Sequence, residues 1–369
     1  MKSLLIINPR NMNSQMDYIH HLNYFAANLD IDLFLICESL GQLELNKRIK
    51  IIEVKRRGGR FLFAWQLYKT ASKLILSHNI DRIISSYGHF NSLLPFFLRK
   101  KRKKGQWNGA LIYDLRSASV SHIFDNLQNK LFAFEQRYYD YCMAVSERTA
   151  LKVFGQSGAS AFICGVGAFP AGSYSTQHQL DTEISNIKEE LQIKSDETIL
   201  LYVGTLQNRE IDRFINQLSF NTEKFRLLII GDGDARSISK IELAISEKKL
   251  DDKAHLCGRI PFQQLAPYLR LSDIGLAYTP SHESLADQPM TKLYEYHEFE
   301  LVVLTNDIKK YQFCPRKSIM LSGNDRLSDI ISELQKKNDN PDCRSSLIYW
   351  EDWNRKLYAF LESLEAEVQ

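Results

Sequence analysis

Lys292 and Glu295 stand three residues apart in QPMTKLYEY, with Gln288 and Thr291 just ahead of them. Residues at that spacing on a helix share a face, so an ammonium, a hydroxyl and a carboxylate can meet one ligand. A cation and a hydroxyl beside a helix start suit an anionic diphosphate, because the first turn presents unbonded backbone N–H groups and the positive end of the dipole. A carboxylate one turn on can accept hydrogen bonds from sugar hydroxyls, a ribose diol being the obvious candidate. Pro289 is expected just inside the helix start, where its missing N–H costs nothing. An ordinary amphipathic helix with a solvated acid is the plain alternative.

The elements that must position these groups are short apolar runs. Ile274 to Tyr278 and Leu301 to Leu304, bounded by turn residues, are expected as strands buried on both faces of a parallel sheet. ETILLYVG (197–204) ends in Gly204 and leads through Thr205 to Arg209, the phosphate candidate of this loop, and then into a helical pattern from Ile211. FRLLIIGDGD runs into Gly231 and Gly233, and HLCGRIPFQQLAPYLRLSDIGL carries Gly258, Arg259 and Ile260 after another strand. Either turn taken alone marks only a tight strand exit, and Arg209 alone is equally a surface arginine at a helix start.

The first half repeats the style. Leu4 to Ile7, Ile31 to Cys37, Ile51 to Val54, Arg82 to Ser85 and Ala110 to Tyr113 are strand-like, with helical patterns such as Phe63 to Ser77 between several of them. Strands alternating with helices imply a doubly wound parallel sheet. LIYDLRS sets Asp114 and Arg116 directly after a strand, where such a sheet holds its ligands; a buried structural ion pair is the competing account. His89, in SYGHF after another strand, is a candidate for the acceptor side.

Together these segments resemble glycosyltransferase family 4, retaining enzymes of the GT-B fold. The resemblance implies an α/β chain of two Rossmann-like doubly wound domains facing a central cleft. The first, residues 1–170 joined by a terminal helix at about 350–369, would take the acceptor; the second, 185–349, would take the donor. It implies a pair of acids eight apart, Asp287 facing the donor sugar and Glu295 on the ribose, and base contacts from Gly258, Arg259 and Ile260. Arg116 would meet the donor phosphate or an acidic acceptor, with Asp114 orienting it. The chain departs from the family at Asp287, where glutamate is common, at Thr205, where the usual arginine and lysine are missing, and at Ser117, in place of glycine. The asparagine turn expected near 159–167 is absent. FEQRYYDYCMAVSERTALKV (134–153) resembles the scaffold before the interdomain crossing, with Ser146 as a helix cap, and a polar linker is expected at Ala171 to Glu183.

At 369 residues, with 44% hydrophobic residues, two domains are the prior expectation. Six scattered cysteines without ligand spacing are expected as reduced core thiols in a cytosolic protein. No run approaches a membrane span, and MKSLLIINPR is too short in apolar residues for a signal peptide. Basic and aromatic residues cluster at Lys55 to Trp65 and at Phe96 to Lys104, which suits an anionic membrane surface; a solvated charge run is the alternative. A net charge of +3 and the lack of a recognition motif argue against nucleic acid. The expectation is a metal-independent transferase without a cofactor, using a nucleotide-sugar donor and a lipid-linked saccharide acceptor. Asp232 and Asp234 have DxD spacing only through the GDGD turn. A nucleotide-sugar 2-epimerase and a silent nucleotide-sugar-binding partner subunit are the other readings.

Overall fold

The computed structural model describes residues 1–12, 15–41, 43, 45–118, 125–171, 177–222, 224–278, 280, 289–306, 318–323, 325–334 and 347–364. Asp287 and Gln288 lie outside them. The chain divides into two compact units, Met1–Val166 with Trp350–Gln369, and Gly167–Tyr349.

The first unit is a parallel sheet built from β1 (Ser3–Asn11), β2 (Asp32–Ser39), β3 (Ile49–Glu53), β4 (Arg82–Ser86), β5 (Ala110–Leu115), β6 (Tyr141–Ala144) and β7 (Phe162–Ile163), in the order β3-β2-β1-β4-β5-β6-β7. The central strands are apolar on both faces because helices cover both: β1 opens with six buried residues, and all six residues of β5 are buried. Helices α1 (Met16–Asn28), α2 (Arg60–His78), α3 (Leu93–Lys103), α4 (Asp125–Gln136) and α5 (Glu147–Phe154) alternate with the strands. Ser146 caps α5 by accepting the Thr149 N–H at 3.1 Å, as its position after a strand predicts.

The second unit continues with α6 (Gln177–Glu190), β8 (Thr198–Val203), α7 (Ile211–Gln217), β9 (Phe225–Ile230), α8 (Ala235–Glu247), β10 (Ala254–Gly258), α9 (Ala266–Leu271), β11 (Ile274–Ala277), α10 (Thr291–Glu298), β12 (Val302–Thr305), β13 (Ser318–Met320) and α11 (Leu327–Leu334). Its strands are parallel in the order β10-β9-β8-β11-β12-β13. Both sheets reverse strand order beside their first strand, the architecture in which ligands collect beyond the carboxyl ends of the strands. Two local expectations need correction. The polar stretch at 171–183 is not all linker, since α6 begins at Gln177. Pro289 does not open α10: Met290 takes the extended cap position and Thr291 is the first helical residue, so the proline only fixes the approach.

The terminal helix α12 (Trp350–Ser363) belongs to the first unit and packs on α1. Gly165 lies under Trp353, where a Cβ would come within 2.6 Å of the indole, and the indole N–H donates to Val166 O at 2.9 Å. His21 donates from Nδ1 to Asn354 Oδ1 at 2.5 Å. Its Nε2 is thereby left to accept from the Cys164 thiol, 3.6 Å away, whose proton is held by burial at a pKa of about 12. The neighbouring His20 ring lies tilted against Trp350, their centroids 5.0 Å apart. Burial pulls His20 down to about 3 and His21 to about 4. Both are therefore neutral in the folded chain at pH values where the unfolded chain, titrating near 6.5, already binds a proton. Stability is full above 6.5 and falls as the pH drops toward those folded values. We expect each histidine to contribute a slope of about 1.4 kcal/mol per pH unit. Urea midpoints at pH 7 and pH 5 measure this, and His21→Gln should flatten the difference.

Candidate functional site

In the second unit the site begins where the sheet opens. β11 pairs with β8 only through Ile274–Leu200 and Gly275–Leu201; beyond that the two strands part. The phenol of Tyr296 on α10 enters the gap, accepting the Val203 N–H at 3.0 Å and donating to Leu201 O at 3.2 Å. Its ring lies where a Cβ on Gly275 would approach within 2.4 Å, so the glycine in β11 is what lets α10 seat. A buried backbone donor left by the diverging strands is thus satisfied by a side chain, and that same contact fixes the rotation of α10.

With α10 seated, Lys292 reaches back over β8. Its Nζ lies 3.7 Å from the centroid of the Tyr202 ring and 3.5 Å from the position of a Cβ on Gly204. Tyr202 in turn donates to Thr205 O at 2.8 Å, tying down the loop after β8; the Thr205 side chain is exposed. Burial first, and then the nearby charge of Arg209, push the Lys292 ammonium well below its ordinary pKa. Neither cation makes an ion pair with a described residue. Glu295, 7% exposed, is raised to about 7 by burial, against the pull of Lys292, and no described residue donates a hydrogen bond to its carboxyl. Thr291 is half-buried at the first position of the helix.

The three glycines that end β8, β9 and β10 are linked across the sheet. Gly204 N–H donates to Ile230 O at 3.0 Å, Gly231 N–H to Gly258 O at 2.8 Å, and Leu206 N–H to Asp232 O at 2.8 Å. The approach is so close that a Cβ on Gly231 would stand 1.8 Å from Gly204 O. Gly233 passes the same loop, 3.1 Å from Gln207 N by the same measure. Arg259 faces Asp232 at 3.6 Å, both largely exposed, beside a half-buried Ile260. Asp234 caps α8 by accepting the Ser237 N–H at 2.8 Å, so both acids of the GDGD turn have local partners.

The first unit places Asp114 and Arg116 at the carboxyl end of β5 but turns them inward. Arg116, with 7% of its side chain exposed, donates from Nε (2.9 Å) and Nη2 (2.5 Å) to Asp17 Oδ2 and from Nη1 (2.7 Å) to Cys164 O. Burial lifts the Asp17 carboxyl, but the guanidinium beside it prevails and holds it below the usual range. Asp114 accepts from the Tyr18 hydroxyl at 2.5 Å and is pushed by burial to about 6 despite Arg116, 3.9 Å away. The expected phosphate ligand is therefore a buried strut between β5 and α1, the ion-pair account of the motif. His89 is half-buried after β4, its Nε2 3.4 Å from Arg60 Nη1. Sequence reasoning missed Arg10, which lies 4.1 Å over the Tyr87 ring and donates to its hydroxyl at 2.8 Å. The cue was NPRN, an arginine just at the exit of β1.

The basic and aromatic runs also sort themselves. Phe61, Leu62 and Phe96 are exposed, at 56%, 47% and 67%, whereas Leu98 is core and Phe97 packs edge-on to Trp65. Arg102 folds back on Asp140 and Trp107, which leaves the other cations of Arg99–Lys104 exposed. Among the described residues no helix is long and apolar enough to cross a membrane.

Comparison with solved structures shows the same architecture over nearly the full chain. Sucrose-phosphate synthase from Thermosynechococcus elongatus aligns with a TM-score of 0.72 at 14% identity, covering 98% of each chain. Alr3699/HepE from Anabaena, solved with UDP, aligns at 0.66 and 12% identity over 99% of this chain and 100% of that one. WaaG, a glycosyltransferase involved in lipopolysaccharide biosynthesis, aligns at 0.59 and 15% over 98% and 90%. No curated protein matches the sequence. Residues 197–334 match the family described as Glycosyl transferases group 1, and the segment so matched spans β8 to α11. The second unit is thus similar over these residues to the glycosyl transferases group 1 family, within a chain of two Rossmann-like units of the GT-B fold.

Proposed function

We propose that this chain is a retaining, metal-independent member of glycosyltransferase family 4 that moves a sugar from a nucleoside-diphosphate donor to a lipid-linked saccharide acceptor in surface polysaccharide synthesis. The observation that carries the reading is the pair of basic side chains at the exit of β8, Lys292 and Arg209, neither in an ion pair with a described residue, with the buried Glu295 carboxyl one turn along α10. Their chemistry matches a diphosphate next to a ribose diol. When the glycosidic bond opens, negative charge grows on the leaving diphosphate, and preorganised cations and helix N–H groups stabilise that charge more than the ground state. The titration shifts support this. A phosphate favours the protonated form of a desolvated lysine amine, and a desolvated carboxyl ionises when hydroxyls donate to it. Asp287 remains the candidate facing the donor sugar, with Gln288 beside it.

Residues Asp232 and Asp234 are committed to Arg259 and to the α8 cap, which supports a leaving group neutralised by side chains rather than by a bridging cation. The exposed Phe61, Leu62 and Phe96 beside the cations of α3 support a cytoplasmic protein held at the inner face of the membrane, each cation contributing about 1 kcal/mol near an anionic surface. The test is turnover. Incubation with UDP- and GDP-sugars should release nucleoside diphosphate only when a membrane extract supplies acceptor. Interconversion of the donor sugar without extract would replace this reading by a 2-epimerase. Tight donor binding without release in any extract would replace it by a silent partner subunit.

A further inference from the structure

At the carboxyl edge of the first unit's sheet, Arg10 and Arg60 form no ion pair with a described residue, and the buried Glu135 beside them is held by the backbone of Phe90, Asn91 and Ser92. Arg10 leaves β1 held from two sides by Tyr87, through the ring and through the hydroxyl. Tyr87 is itself fixed by its hydrogen bond with Ser117 and by Phe132, whose ring stands edge-on at 5.5 Å. Gly88 brings the β1 and β4 exits together, since a Cβ there would come within 2.9 Å of Pro9. His89 follows, with Arg60 at its Nε2, and Phe61 packs edge-on to Phe90 at 5.2 Å to close α2 onto the same loop. Arg60 is the first residue of α2, whose cap, Gly59, has no side chain and whose first turn has no acid. A cation there opposes the helix dipole unless an anion sits between them.

Acids lie at the neighbouring strand exits, Glu53 at the end of β3 and Asp114 near that of β5, but the stretch between them is strongly basic. Between Val54 and Tyr113 there are thirteen lysines and arginines and one acid, Asp81. That acid precedes β4, at the opposite end of the sheet, where it accepts from the Lys2 and Ser3 amides at 2.6 and 3.2 Å. Arg116, the cation first expected to serve this edge, is consumed by Asp17. We propose that Arg10, Arg60 and His89 form a phosphate subsite, and hence that the acceptor carries a phosphate or diphosphate group. The word acceptor rests on the transferase reading above; the subsite itself does not. Arg10, immobilised before the ligand arrives, provides the planar donor pair suited to a phosphate. His89 accepts from Arg60 through Nε2 and so offers its Nδ1–H. Arg60 and the free amides of α2 complete the positive field.

The experiment uses the full chain and inorganic pyrophosphate titrated in excess UDP, with wild type, Arg10→Gln, Arg10→Lys, Arg60→Gln and Lys292→Ala. Arg10→Gln and Arg60→Gln should each weaken pyrophosphate binding at least tenfold and leave UDP affinity unchanged. Arg10→Lys should restore part of the loss, and Lys292→Ala should weaken UDP alone. Wild-type pyrophosphate affinity in both glutamine variants would overturn the subsite. If the donor reading fails instead, wild type loses UDP binding while pyrophosphate binding and its dependence on Arg10 persist. Competition by glucose 6-phosphate, or by phosphatidylcholine vesicles containing a polyprenyl diphosphate, identifies a sugar phosphate or a lipid carrier as the source. Competition only by phosphatidylglycerol vesicles would mean a surface charge effect and overturn the proposal.

Discussion

Lys292→Ala is expected to lower nucleoside diphosphate release about 10²- to 10³-fold, the range for removing one preorganised group that stabilises developing charge. UDP affinity should fall less, by about 10- to 100-fold, since a charged hydrogen bond contributes about 1.5–3 kcal/mol. The fold should not suffer. In the free protein the Lys292 side chain lies on Tyr202, desolvated and in no ion pair with a described residue, so its removal relieves a buried basic group rather than breaking a pair. Thermal unfolding of the variant should therefore match or exceed wild type while turnover collapses. Unchanged release by a well-folded Lys292→Ala protein would remove this residue from the donor site.

Gly231→Ala should produce the largest loss of stability, about 4 kcal/mol. The added Cβ would stand 1.8 Å from the Gly204 carbonyl oxygen at a backbone φ of +151°. Neither atom is the movable end of a side chain, so β8 and β9 must separate, and the hydrogen bond from Gly231 N–H to Gly258 O is strained with them. Overpacking and left-handed backbone strain each cost about 1–3 kcal/mol. For a unit of this size the sum corresponds to a drop of about 10 °C in Tm. Gly233→Ala is the comparison, because its nearest atoms would lie at 3.0 and 3.1 Å and can give by a few tenths of an ångström. A Gly231→Ala protein within 1 kcal/mol of wild type by denaturant titration would refute the argument.

Both effects reach the proposed donor site through α10 and the β8 exit, but by different routes. On the proposed reading Lys292 meets the ligand directly, whereas Gly231 holds the platform over which Lys292 is placed. Measuring both variants for UDP affinity separates them: Lys292→Ala loses affinity at every temperature, and Gly231→Ala loses it as the second unit melts.

The strands and the doubly wound order were legible in the residues themselves. A strand covered by helices on both faces must be apolar throughout, and LLII, TILLYV and RLLII announce that without help from the rest of the chain. The glycines at the ends of β8, β9 and β10 were legible for a different local reason, since each takes a positive φ that side chains disfavour. Lys292 and Glu295 could be paired from sequence because they are neighbours on one helix.

What only the tertiary structure decided depends on groups far apart in the chain. Arg116 read as a phosphate ligand, yet Asp17, 99 residues earlier, claims it. The rotation of α10 is set by Tyr296 meeting Gly275 and the splayed end of β8, and the depressed basicity of Lys292 by its burial against Tyr202 and by the charge of Arg209, both far earlier in the chain. Arg10 acquired meaning only when Tyr87 and His89 came beside it. Local pattern determines where the chain must be apolar and where it must turn, because those demands act on each residue alone. Which charge is neutralised and which is left for a ligand is a property of pairs, and the pairs exist only once the sheets have closed.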